Sequence, residues 1–298
     1  DTTRKALIGV EVAVGILRAV GVSLTGEALC MQDEPLADAS PRATCKQVAR
    51  LVARIHAELA KLGLAPHGLG VGLPGAFDEA TGVLSFAPNL GWRNVDFVPM
   101  LTQALSKANV PPLPVHVQNE ADTAALSEYE FANSQLVNGA ANDSLIFVTC
   151  GVGVGAGIVL NDHLFTGVQG MAGEIGHSIL QIDGALCSCG RRGCAETFIG
   201  ERVLGTLKKP ADGGHYLGVV LHNLWTTFNP SRIVLGGSSI ARYPALVQVA
   251  QKTLDNYAGH ASIAAAPTVQ TASYGLLASA VGAAALVLHH ELRPLQGR

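Results

Sequence analysis

Apolar positions along this chain recur in two periods, and the switches between them mark out its elements. From Ala6 to Val22 the runs ALIGVEVAV and ILRAVGV are rich in apolar and β-branched residues. They predict two strands forming a hairpin, with a further turn at Thr25-Gly26. From Thr44 to Leu62 the period lengthens: Cys45, Val48, Val52, Ile55, Leu59 and Leu62 fall on one face, with Arg50, Arg54, Glu58 and Lys61 away from it. That predicts an amphipathic helix with Cys45 in the core. A strand is predicted over Leu69–Leu73, ending at Pro74-Gly75. A helix follows over Phe97–Ala108 and stops before Pro111-Pro112. Next come a strand, Pro114–Gln118, and a helix, Ala121–Ala132. Ser144–Leu160, SLIFVTCGVGVGAGIVL, reads as a strand, a glycine-rich turn and a strand. A helix over Tyr216–Phe228 closes at Asn229-Pro230, a strand over Arg232–Leu235 runs into Gly236-Gly237, and Leu276–Leu288 is an Ala/Leu-rich buried helix. Strands alternating with helices predict an α/β fold.

Composition narrows the class. The 298 residues are 48% hydrophobic and 14% charged, with 34 glycines, as in a compact α/β protein with many tight turns and length enough for two lobes. The net charge of −3 and the lack of a Lys/Arg-rich run argue against nucleic-acid binding by these residues themselves. The apolar run 276–288 is shorter than the roughly 20 residues of a membrane span. No secretory segment opens the chain, so a cytoplasmic location and no membrane partner are expected. The first residue is Asp1 rather than Met, which leaves room for sequence upstream.

The densest chemistry lies in GEIGHSILQIDGALCSCGRRGCAE, residues 173–196. His177, Cys187, Cys189 and Cys194 supply the four soft donors that a structural zinc takes, and Gly184, Gly190 and Gly193 allow the tight turns of so short a loop. A disulfide between two of the cysteines, which needs an oxidising compartment, or three reduced thiols are the alternatives. Glu174 and Glu196 bracket the cluster and are not needed as ligands. Glu174 and His177, three residues apart, share a face on a helix-like turn.

GEIGH at 173–177 and CSCGRRGCAE at 187–196 resemble the signature of the ROK family, which mixes sugar-responsive repressors and sugar kinases. The resemblance extends across most of the chain. It implies a two-lobed actin-like ATPase (ribonuclease H-like) fold, with an N-terminal lobe over 1–118, a C-terminal lobe over 119–275 and a helix over 276–298 packing back on the first lobe. It also implies zinc held by His177 and the three cysteines, and a sugar-sized cleft between lobes lined by Glu174, His177 and Glu196. Residues 72–92 resemble the family's G-x-P-G … P-N-L-x-W segment, which places Gly75 and Asn89 near sugar hydroxyls; Asn89 reads equally as a turn residue after Pro88. Asn119 and Glu120, at the carboxyl end of a predicted strand, take the place of the kinases' N-D. They are expected to contact a sugar, and Glu120 also suits the start of the following helix.

Three positions depart from the kinase pattern. Where the kinases carry D-x-G-G-T, this chain has Glu11, Ala13, Val14 and Gly15, read as a plain hairpin with Glu11 at its solvent end. Glu120 replaces the aspartate base, and Val152 replaces a phosphate-contacting threonine. Gly151, Gly153, Gly155, Gly236 and Gly237 then read as a vestigial nucleotide loop. The expected function is the sugar-binding effector domain of a ROK-type transcriptional regulator without kinase activity. Its ligand is a sugar or amino sugar, it forms a homodimer or homotetramer, and it reaches DNA only through a segment upstream of Asp1. The alternatives are an ATP-dependent hexose or N-acetylhexosamine kinase, and a sugar-binding scaffold with neither activity.

Overall fold

The computed structural model describes residues 4–132, 144–261 and 266–292. They form two compact units, Asp1–Asn138 with Gly167–Met171 and Leu277–Arg298, and Gly139–Thr166 with Ala172–Leu276.

The first unit opens with β1 (Lys5–Ala13), β2 (Ile16–Ser23) and β3 (Ala28–Pro35), then α1 (Pro41–Lys61) and β4 (Ala65–Leu73). Three short strands follow, β5 (Ala76–Asp78), β6 (Val83–Ala87) and β7 (Trp92–Val95), paired as a small antiparallel sheet. Then come α2 (Phe97–Lys107), β8 (Val115–Asn119) and α3 (Glu120–Leu126), which runs on into a wider turn, Ser127–Phe131. The main sheet has the order β3-β2-β1-β4-β8; β1 to β3 pair antiparallel, while β4 and β8 add on parallel. α1 takes Pro at its start, where no backbone donor is needed, and buries Cys45, Val48, Val52, Ile55 and Leu59 against the sheet.

The second unit holds β9 (Leu145–Cys150), β10 (Val154–Leu160), β11 (His163–Leu164), α4 (Glu196–Ile199), α5 (Glu201–Leu204), α6 (Gly213–Phe228), β12 (Arg232–Gly236), α7 (Ser238–Arg242), α8 (Ala245–Ala261) and β13 (Val269–Thr271). Its sheet order is β11-β10-β9-β12-β13, again antiparallel on the hairpin side and parallel beyond. The two units therefore repeat one strand order and one pattern of directions.

The last helix, α9 (Ala278–Val287), belongs to the first unit and is buried on every side. It packs on β1, β4 and α3. The expected lobe boundary after Gln118 shifts accordingly, because α3 is fastened to α9 and stays in the first unit, with Thr123 and Ser279 hydroxyls 3.1 Å apart. Counted with its flanking turns, the run Gly275–Leu292 reaches 18 residues and is apolar enough to cross a membrane by length and composition. With 56% of it buried inside the protein, it serves as a core helix.

The packing around α9 leaves no space for side chains on its neighbours. A Cβ added at Gly70 of β4 would lie 1.7 Å from the Ala283 carbonyl oxygen, and one at Gly9 of β1 would lie 1.9 Å from that of Ala280. Gly70→Ala is therefore expected to cost roughly 3 kcal/mol by overpacking, a fall in Tm on the order of 10 °C. Gly259→Ala, on α8 with open space around it, is the control and leaves Tm unchanged or slightly raised. Thermal circular dichroism of both variants checks this.

Candidate functional site

The chemistry of the second unit gathers in a loop with little regular structure. Between Gly173 and Cys194 it has one helical turn, Ile175–His177, and two isolated bridges, Ile179 to Cys194 and Leu186 to Arg192. Gly193 has φ +71°, and a Cβ there would strike the Gln181 carbonyl oxygen, so the fold of the loop requires glycine. The bends bring His177, Cys187, Cys189 and Cys194 together, with one donor atom from each within 4.8 Å of the others. Cys189 Sγ and Cys194 Sγ are 3.7 Å apart, as are Cys187 Sγ and His177 Nδ1. A disulfide needs about 2.05 Å, and all six cysteines are free. A tetrahedral ion with metal–sulfur bonds of about 2.3 Å sets its sulfurs about 3.8 Å apart, close to the 3.7 Å between Cys189 and Cys194. The donor set therefore fits a metal ion.

Arg191, which the sequence reading passed over, supplies the countercharge. Its Nε donates to Cys189 Sγ at 3.3 Å. Burial acts to raise the Cys189 thiol, yet hydrogen bonds from the Arg191 backbone and guanidinium, together with those to Cys187 and Cys194, outweigh it and bring it down to about 7. Burial pushes Cys194 up to about 12. The signal for Arg191 was a cation set between two thiols that bind metal as thiolates.

Both flanking carboxylates touch this loop. His177 turns Nδ1 to the thiols and Nε2 to Glu174, 3.9 Å from Oε2. Glu174 thus lies on the side of the imidazole away from the thiols, beyond hydrogen-bond distance. Burial raises the Glu174 carboxyl, and Glu196 raises it further, against His177 and Arg191. Glu196 begins α4; its Oε2 accepts from the Val154 N–H and its Oε1 from the Ser188 hydroxyl, each at 3.3 Å. It thereby links the glycine-rich hairpin to the cysteine loop.

In the first unit, Asn119 caps α3. Its side-chain oxygen accepts from the Ala121 N–H at 2.7 Å, and its amide donates to the Gly75 carbonyl at 2.8 Å. Glu120 is the first residue of that helix, at the carboxyl end of β8. Gly75, at φ +103°, lies against the Phe86 carbonyl, where a Cβ would not fit. Asn89 stands exposed in the turn between Ala87 and Gly91. The structure thus brings Asn119 and Gly75 into direct contact.

A model of the ROK family matches residues 8–212 and 210–290 of this chain. The chain belongs to the ROK family. Its relatives include both regulators and enzymes. It is 30% identical to a xylose repressor of Bacillus subtilis, across 96% of this chain and 77% of the repressor. It is also 30% identical to a glucokinase of Halalkalibacterium halodurans, across 64% of this chain and 67% of that enzyme. Among solved structures, a ROK glucokinase of Streptomyces griseus in complex with glucose and AMPPNP superposes with a TM-score of 0.77 at 24% identity, covering 94% of this chain and 98% of that one. The fold is that of the ROK sugar kinases.

Two segments that carry phosphate contacts in the kinase pattern have other partners in this ROK chain. Glu11 is paired across β1 and β2 with Arg18, Oε2 to Nη1 at 3.0 Å, and Arg18 also approaches Asp33 at 3.5 Å. Glu11 is not at a solvent end as expected; its side chain is only 12% exposed. Burial raises its carboxyl, opposed by Arg18. Val14 projects outward at the hairpin turn. In the second unit the Gly151–Gly153 turn joins β9 to β10 as read from sequence, closed by the Gly151 N–H to the Gly153 carbonyl. Gly236 and Gly237 lie against Phe147 and the Cys150 carbonyl, so packing alone demands them. Glu201, also missed from sequence, donates its N–H to the Gly151 carbonyl, and its carboxylate accepts from Ser238 at 2.8 Å and lies 3.6 Å from Arg242.

The cluster predicts about one tightly held metal ion per chain, counted by plasma mass spectrometry. Cys194→Ser abolishes it, and Arg191→Ala weakens metal affinity by about ten-fold, the loss expected of a residue that holds a ligand.

Proposed function

We propose that this chain binds a small sugar as the effector-binding part of a ROK transcriptional regulator and transfers no phosphoryl group. The observation that carries the reading is the Glu11–Arg18 pair. A carboxylate that holds Mg²⁺ beside transferring phosphates must keep its charge free for the ion. Here a guanidinium already neutralises it, in a hairpin that also has Val14 where close backbone approach to phosphate is needed. Glu120 for aspartate and Val152 for threonine add to the same reading, as does the repressor relative that aligns with 96% of the chain.

In this reading each unit carries its own candidate sugar contacts: Asn119, Glu120, Gly75 and Asn89 in the first, and Glu174, His177 and Glu196 in the second. Carboxylates and an amide pair with vicinal hydroxyls, which is the chemistry of a sugar site. Asn119 and Gly75 also have structural work in the cap of α3, and Asn89 serves as a turn residue, so the last two are the weaker members. The ion is zinc, a closed four-ligand site with no open position for water, and its role is to fix the loop that carries Glu174 and His177. With net charge −3 and no basic run, these residues are assigned effector binding, and DNA contact is left to sequence outside them.

The kinase reading is favoured by the glycine turn at 151–153 and by the glucokinase relative. Incubation with ATP, Mg²⁺ and a panel of xylose, glucose and N-acetylglucosamine separates the two. One sugar is expected to raise Tm with no sugar phosphate in the mass spectrum. Glu174→Ala is expected to weaken that sugar about ten-fold or more, the loss for one hydrogen bond to a charged group. Sugar phosphate made by the native protein and abolished by Glu120→Ala would falsify the regulator reading.

A further inference from the structure

Three histidines and three glutamates meet in the first unit. The turn Leu288–Leu292, which continues α9, carries His289, His290 and Glu291. His116 of β8 places Nε2 2.9 Å from Glu291 Oε1. His289 Nδ1 lies 2.8 Å from Glu130 Oε1, in the turn that follows α3. His290 Nε2 lies 3.2 Å from Glu79 Oε1, in the link between β5 and β6. Each pair ties the terminal turn to a different part of the unit. The rings also contact one another. His116 and His290 stack with centroids 4.8 Å apart and planes 3° from parallel, and His289 meets His290 edge-on at 5.6 Å.

This arrangement suits protons rather than a metal. An imidazole coordinates through a lone pair in its own plane, and two stacked parallel rings cannot aim both lone pairs at one ion. A neutral ring can donate to its carboxylate and still stack on its neighbour. Two protonated rings, face to face at 4.8 Å, repel.

We propose that the turn Leu288–Leu292 is a proton-sensitive latch, held by the His290–Glu79 contact and by the stacking of His290 on His116, and loosened when His290 takes up a proton against its neighbouring rings. His290 is its centre, and the titratable groups facing it are Glu79, His116, His289 and Glu291. Burial lowers its proton affinity, and His116 and His289 lower it further, against Glu79 and Glu291. The sign follows from that direction. A histidine held below its unfolded-state pKa binds fewer protons when folded. The stability it contributes is present above the ordinary imidazole range and is lost as pH falls towards its folded value. This inference stands apart from the sugar reading and survives that reading's failure.

Hydrogen exchange on the whole protein, corrected for the intrinsic pH dependence of amide chemistry, tests it. Protection of the 288–292 amides is expected to fall about ten-fold or more between about pH 7.5 and pH 5.5, while β1 and β4 stay protected. In His290→Gln, and separately in His116→Gln, the fall shrinks to less than about two-fold. Unchanged protection in the native protein, the same fall in both variants, or an equal fall in β1 each overturns the latch.

Discussion

A closely packed helix, half of it alanine, sets the terms for the first unit. α9 is built largely from alanine, and β1, β4 and α3 come so near its backbone that added methyl groups would overlap carbonyl oxygens. Close packing of this kind tolerates neither voids nor extra atoms. The strands that α9 fixes are those leading to the ends where ligands sit in α/β proteins: β4 runs to Leu73, next to Pro74-Gly75, and β8 runs to Asn119. The cap of α3 then depends on the contact between Asn119 and Gly75.

Much of this was legible in the sequence, where one residue's neighbours determine its fate. The opening hairpin, α1 and the strand-turn-strand at 144–160 followed from hydrophobic period, and the cysteine cluster from spacing alone. What escaped depended on register. Glu11 and Arg18 are seven residues apart, and only the pairing of β1 with β2 sets them opposite each other. His116 and Glu291 are 175 apart and meet through packing that no local pattern encodes. The 72–92 segment carried a motif, but its three short strands were too brief for period to show. The change of lobe boundary has the same origin: α3 follows β8 in sequence, yet its partner is α9.

Electrostatics divides the carboxylates of this chain by their partners. Glu11 is held by a guanidinium and Glu196 by a backbone amide and a hydroxyl, while Glu174 leans on the histidine whose other nitrogen faces the thiols. Burial raises both Glu11 and Glu174, and a second acid pushes each further up, Asp33 and Glu196 respectively, but only Glu11 has a guanidinium, that of Arg18, in direct contact. Identical side chains thus acquire different readiness to accept hydrogen bonds or cations from outside, and the family's motif letters do not record that difference.

The first unit is discontinuous, closing only with residues from 277 onward, while the chain of the second lies between its opening and closing segments, interrupted by Gly167–Met171. On a ribosome the chain emerges from its amino end, and units fold as they become complete. Of the two units, the one whose chain is made first is then the last to finish. Its sheet must wait, with the β1 and β4 faces uncovered, until the final helix has been made. A stop codon a few residues before α9 would spare every candidate sugar and metal residue and still deprive the amino-terminal half of its core.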